Sequence, residues 1–261
     1  SFSIIVNDDA LEGGYSGIVV DINSDNSISR TDTIHFLIGQ PQILFYDGFE
    51  GGLDFWSLDG DWGLTDDAAT GEFALSDSPD GDYQEAQETI AEFVHNVNLN
   101  FLSNPIINFT AKWDIESNWD FVRFQAFVID SGWVSLEGDF TEPGVGQPAQ
   151  PLGEHGYDGT QEDWIQETIY LDQLGAGTSI SGFRFIQTSD NFVEGDGFTV
   201  DDFSISGFPM GIMGDYNMDL VADIFDLLAI ADIILFGGVP TDAQLFFCDL
   251  GLKLLLLLLL F

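Results

Sequence analysis

Positive charge is what this 261-residue sequence has least of: five lysines and arginines stand against 45 aspartates and glutamates, for a formal charge of −40. That shortage excludes a general nucleic-acid binder, because phosphates would be repelled and there are no cations to release their counterions. It equally excludes a polybasic membrane anchor. Cysteine is nearly absent too. Cys248 stands alone, so no intramolecular disulfide is available and the redox compartment is not readable from it. Long apolar runs are missing as well. The strongest is a C-terminal stretch in which Lys253 is followed by seven leucines at 254–260 and Phe261, far short of the ~20 residues that span a bilayer.

Catalytic signatures are also lacking. His35, His95 and His155 lie far apart and form no H-E-x-x-H pair. There is no G-x-S-x-G elbow, and neither Lys112 nor Lys253 lies in a phosphate-binding loop. The expectation is that this chain is not an enzyme and that any peptidase domain lies upstream in a larger parent. The start at Ser1, without a methionine or a signal peptide, reads as a processed or partial chain.

What is present is a core. Hydrophobic residues make up 45% of the chain and aromatics 14%, too many for an acidic disordered tail. The acids must therefore decorate a folded surface, one that bound cations or high salt would relieve of its repulsion. Short β-branched and aromatic runs separated by Gly, Asn, Asp and Ser clusters fill residues 1 to about 208. Several alternate with period two, as in Phe183 and Phe185 around Arg184, or Val122 and Phe124 beside Phe121 and Arg123. Such alternation predicts sheets with one dry and one wet face. The fold class expected is mainly β, a jelly-roll β-sandwich over 44–208. Residues 1–43 read as the end of a preceding β domain or as donated strands, and 209–261 as a small calcium-loop–helix element. The Gly/Pro-rich loop at 141–159 is long enough to be functional.

The sharpest local pattern begins at Asp215. With Asp215 as position 1, oxygen-bearing side chains fall at 3 (Asn217), 5 (Asp219), 9 (Asp223) and 12 (Asp226), and Val221 offers its carbonyl at 7. This is the ligand spacing of an EF-hand calcium loop running into a helix. Leu220 takes the place of the usual turn glycine, and Asp226 that of the usual Glu.

With Ile224-Phe225-Asp226-Leu227-Leu228 after the loop, the segment resembles the first repeat of a type I dockerin. That resemblance implies calcium and a cohesin-like protein partner. A second repeat would start at Cys248-Asp249-Leu250, where the ligating Asn, Asp and Gly do not follow. Asp47-Gly48-Phe49-Glu50, Gly60-Asp61-Trp62-Gly63-Leu64, the run from Gly71 to Pro79 and Val200-Asp201-Asp202-Phe203 look like the MAM-like jelly rolls of secreted bacterial peptidases, of zinc carboxypeptidase and immune-inhibitor-A type. In that family the first and last strands lie side by side, which implies a calcium shared by Glu50 and Asp202, with Asp77 or Asp82 added from a nearby loop.

The leading expectation is thus a non-catalytic, calcium-stabilised, secreted or cell-surface binding or adhesion module. Its partners would be a cohesin-like domain, parent-protein domains or neighbouring subunits. Two alternatives stand beside it. One is a structural subunit of a filament or surface layer assembled by strand donation. The other is a carbohydrate-binding module, with Trp119 and Trp133 as the surface rings for a glycan while most other tryptophans fill the core.

Overall fold

A computed structural model of the chain describes residues 15–23, 29–37, 41–95, 97, 99, 102–175 and 178–209. The chain divides into two compact units. One contains an antiparallel hairpin of β1 (Tyr15–Asn23) and β2 (Ser29–Leu37), in which Tyr15 faces Leu37 and Asn23 faces Ser29.

The other, residues 43–99 and 104–206, is a β-sandwich. Its strands are β3 (Gln42–Asp47), β4 (Trp56–Asp59), β5 (Gly63–Thr65), β6 (Ala74–Ser76), β7 (Glu88–Phe93), β8 (Leu102–Ile115), β9 (Phe121–Val128), β10 (Gly132–Ser135), β11 (Glu142–Pro143), β12 (His155–Gly156), β13 (Gly159–Tyr170), β14 (Ile180–Thr188) and β15 (Gly197–Pro209). One sheet has five strands in the order β10-β9-β14-β7-β4. The other runs β13-β8-β15-β6-β5, with β3 also paired to β15. From β7 onward the long strands alternate between sheets: β7, β9 and β14 in the first, β8, β13 and β15 in the second. This is the mainly-β sandwich expected from the alternating pattern.

The period of two decides which residues meet between the sheets. Val122, Phe124 and Ala126 of β9, Phe183 and Phe185 of β14, and Ile107, Phe109, Ala111 and Trp113 of β8 are buried in one cluster with Phe198, Val200, Phe203 and Ile205 of β15. Phe185 is its hub, with ring centroids 4.8 Å from Phe124, 5.3 Å from Phe109 and 5.7 Å from Phe198. Aromatic stacking and edge contacts of this kind add to the area each ring buries. Trp56, Trp62 and Trp113 join the core as expected of tryptophans in a sandwich.

Strand β10 is an edge of the first sheet and β13 an edge of the second, and the segment 136–158 joins them. It is built rather than slack. Leu136 is fully buried with its N–H on the Phe124 carbonyl, β11 pairs with β12, and Tyr157 bridges to Val122. Gly156 is required there, since a side chain would begin 2.5 Å from the Val122 carbonyl oxygen.

Candidate ligand-binding face

The outward side of the five-stranded sheet follows from the same alternation. If Phe183 and Phe185 face the core, Arg184 faces away. Strand register places Ser57, Glu92, Arg184, Gln125 and Ser135 opposite one another in a single row across all five strands. The next row holds Asp59, Ile90, Ile186 and Arg123.

These side chains are wired together. Arg184 Nε donates to Gln125 Oε1 at 2.8 Å, and Gln125 Nε2 donates to Ser135 Oγ at 3.1 Å. Ser135 Oγ donates to Glu154 Oε2 at 2.9 Å, and the same oxygen receives Arg123 Nη1 at 2.7 Å. Arg123 Nη2 reaches Thr188 Oγ1 at 3.3 Å. Partial burial raises the Glu154 carboxyl, but the bonds from Arg123 and Ser135 outweigh it and hold the group below the usual carboxylate range. Gln125 is 4% exposed and Arg123 8%, although both lie on the outer face, because segment 136–158 folds against them through Glu154.

Two arginines in this network have donors left unspent. Arg123 Nε is buried without a partner. Arg184 makes only the one bond through Nε among the described residues, so both of its terminal nitrogens are open. Its guanidinium lies 4.2 Å from the ring centroid of Trp133, a cation–π contact. Burial lowers the Arg184 pKa. Trp133 in turn meets Phe127 edge-on at 5.2 Å and lies over Gly182, where a side chain would begin 3.5 Å from the indole. One face of the indole is therefore occupied by Arg184.

Trp119, the other ring expected to meet a glycan, is 42% exposed in the β8–β9 turn. The row assembled from Arg184, Gln125, Ser135, Glu154 and Arg123 did not figure among the expected site residues. One signal for it lay in the sequence: two of the three arginines in a chain of 45 acids occupy wet positions of alternating strands.

The acids expected to share a calcium are placed as follows. Glu50 Oε1 accepts the N–H groups of Glu72 and Phe73 at 2.6 and 3.0 Å. Asp202, whose backbone is left-handed at φ 52°, accepts the Tyr46 hydroxyl at 2.5 Å and the Thr70 hydroxyl at 2.9 Å. That bond, followed by partial burial, pushes the Tyr46 hydroxyl up to about 12. Neighbouring Asp201 is buried and accepts the N–H groups of Ala69 and Thr70. Glu50 and Asp202 are thus brought to one segment, 69–73. Asp77 is not: it binds the Phe198 N–H at 2.9 Å and the Ser78 hydroxyl at 2.7 Å. Burial raises Asp77 to about 7, against those two bonds, and leaves its Oδ2 unpartnered.

Glu50, Asp77 and Asp202 do not form a trio of carboxylates within 4.8 Å; among the described residues Glu116, Asp120 and Asp190 do. Oxygen donors so grouped are the type a hard divalent cation takes. In this structure Asp120 accepts the Tyr83 hydroxyl and the Asp190 N–H. Asp215, Asn217, Asp219, Val221, Asp223 and Asp226 lie outside the described residues.

No protein-family model matches the sequence, and no curated protein matches it. Solved structures do. The CBM22-1 xylan-binding domain of Xyn10C from Paenibacillus barcinonensis is 16% identical, over 64% of this chain and 95% of its own, with a TM-score of 0.40. The C-terminal family 22 carbohydrate-binding module of Clostridium thermocellum Xyn10B is 14% identical, over 64% and 95%, at 0.37. TmCBM27, a mannan-recognising carbohydrate-binding module, is 13% identical, over 65% and 99%, at 0.37. Likenesses this distant do not assign a ligand, and the function proposed next rests on the geometry of this molecule.

Proposed function

We propose that this chain is a non-catalytic carbohydrate-binding module that takes an uncharged polysaccharide on the outer face of its five-stranded sheet. The observation that carries the reading is the open pair of terminal nitrogens on Arg184, held flat by Trp133 and Gln125 in the middle of a hydrogen-bonded row. A sugar chain presents vicinal hydroxyls and apolar ring faces. Planar fork donors fixed in place recognise the first, and aromatic or aliphatic surfaces such as the half-buried Trp133 and Ile90 suit the second. Pre-fixing these side chains spares a ligand much of the entropy of ordering them. The ligand is uncharged because Asp59, Glu88, Glu92 and Glu154 surround the two guanidiniums, in a protein whose overall charge of −40 repels polyanions.

The test is affinity electrophoresis and calorimetry against soluble neutral polysaccharides of xylan, mannan and glucan type. Binding by the native chain, lost in R184A, supports the reading. Silence across the whole panel, or R184A binding as tightly as the native chain, would refute it.

Calcium enters the proposal through the ligand spacing at residues 215–226, with an extracellular setting in which calcium is plentiful. A cation held only by the folded state adds about 2.7 kcal/mol at a hundredfold excess over Kd. Calcium is expected to raise Tm by several degrees and EDTA to reverse it. An identical melt in both would remove calcium from the reading.

A further inference from the structure

We infer that Glu167 is a positioning residue for the proposed binding face: it fastens both ends of segment 136–158 and thereby holds Glu154 against Arg123. The inference rests on the carbohydrate-binding reading for its consequence, but not for its geometry.

Glu167 sits on β13 opposite Phe109 of β8, which is a core position. By the pattern of its strand a hydrophobic residue belongs there, since Ile165 and Ile169 on either side point the same way and join the core. Instead a carboxylate is buried at 0% exposure. Among the described residues no lysine or arginine pairs with it. Such a group is costly to bury and persists only where hydrogen bonds replace its water.

Those bonds are all to the loop and its own strand. Oε1 accepts the Asp139 N–H at 2.7 Å and the Thr168 N–H at 2.7 Å. Oε2 accepts the Phe140 N–H at 3.1 Å and the Tyr157 hydroxyl at 2.9 Å. Asp139 and Phe140 lie near the start of the segment and Tyr157 at its end, so one carboxylate closes the whole excursion. Gly138 is needed for this approach, as a side chain there would begin 2.8 Å from the Glu167 carboxylate.

The path from clamp to binding face is short and continuous. Phe140 leads into β11, where Glu142 pairs with Gly156 and Pro143 with His155 of β12. The Thr141 hydroxyl meets His155 Nδ1 at 3.2 Å, and the Gly144 N–H bonds the Glu154 carbonyl at 2.7 Å. Glu154 then delivers the carboxylate that Arg123 and Ser135 share. Removing the acceptor at 167 strands the Phe140 N–H and the Tyr157 hydroxyl and leaves the Asp139 N–H only its 3.2 Å bond to the Thr168 carbonyl. The cheapest escape is for the loop to lift and hydrate them, taking Glu154 with it.

The experiment uses the full chain and the variants E167Q, E167L, Y157F and E154A. Amide hydrogen exchange is read without ligand. In E167Q and E167L, amides of 138–157 are expected to exchange faster while those of β7 and β14 keep native protection; Y157F should loosen the same amides less. Unchanged exchange at 138–157 in E167Q and E167L overturns the clamp, whatever the ligand proves to be. Binding is read on whichever neutral polysaccharide the native chain takes. E167Q is expected to weaken it about tenfold, the scale of coupling through a shared network, and to add nothing to E154A in a double-mutant cycle. Additive losses, or native affinity in a loosened E167Q, overturn the positioning role. If the native chain binds no polysaccharide, the carbohydrate reading fails and Glu167 loses that consequence, while the exchange result still decides whether the clamp exists. Should E167L not fold, E167Q and Y157F carry the same comparison.

Discussion

The two sheets turn very different outer faces to solvent. On the six-stranded sheet the polar groups serve their neighbours: Thr168 bonds Asn108, Thr160 bonds Asp114, Ser204 bonds the Asn108 carbonyl, and the one long cation, Lys112, lies 5.3 Å from the Trp164 ring centroid with its ammonium taken up by Asp67. On the five-stranded sheet they are long and planar, and Arg184, Gln125, Glu154 and Arg123 form a network that crosses strands and ends in open donors. Short side chains bonded within a strand pair finish a surface. Long ones locked side by side, with valences left over, prepare it for something else. This difference is the reason the proposed ligand is placed on one face and not the other.

The sharpest way to break this comparison is to mutate adjacent residues of β14. F185A removes the ring at the centre of the core and is expected to cost about 3–5 kcal/mol of stability, read by chemical denaturation. R184A, one residue away on the opposite face, is expected to leave stability within about 1 kcal/mol and to weaken polysaccharide binding about thirtyfold or more, the cost of losing an interface anchor. If R184A unfolds the protein, or F185A leaves its stability intact, the assignment of faces is wrong.

Next in size is a dependence on pH. Asp77 moves from an ordinary 3.8 to about 7 on folding because burial disfavours its charge, and burial raises Glu116, Asp120, Glu167 and Asp201 in the same direction. A carboxyl raised in the folded state contributes stability below its unfolded value and loses it as pH climbs through the folded value. Tm is therefore expected to rise by several degrees as pH falls from 8 to 5, helped by relief of the surface repulsion. D77N keeps the acceptor for Phe198 and removes the titration, so its Tm should vary less between pH 4 and 7. An identical slope would clear Asp77 of the effect. The smallest effect is expected from T168A on the six-stranded face: stability within about 0.5 kcal/mol and unaltered binding. A loss of affinity there would move the site to the other sheet.

Acids dominate the composition, and the fold uses them in a way that a count does not convey. Asp47, Glu50, Asp120, Glu167 and Asp201 each accept one or more backbone N–H groups from a loop or turn, and Asp77, itself in a loop, accepts the Phe198 N–H of β15. In a chain so poor in cations, peptide N–H groups are the abundant donors. Carboxylates serve here as internal acceptors that tie loops to strands. Glu50 and Asp77, which the resemblance named for a shared calcium, belong to this set, because ligand oxygens for calcium and acceptor oxygens for peptide groups are the same carboxylate atoms.

Period-two alternation was legible in the residues and carried the fold class, the core rings and the outward turn of Arg184, because strand geometry converts sequence position directly into side of the sheet. The binding row was not legible. Ser57, Glu92, Gln125, Ser135 and Glu154 lie up to about a hundred residues apart, and only register, which depends on which strands pair, aligns them. Trp133 could be named as a ring for a ligand, but its cover by Arg184 could not, since that contact joins an edge strand to a strand two places away. Glu167 contradicts its own strand pattern, and the reason lies in a loop that folds beneath it. Local periodicity thus determined which side each residue faces; long-range pairing decided which residues became neighbours, because hydrogen bonds and salt bridges depend on distances that chain order does not contain.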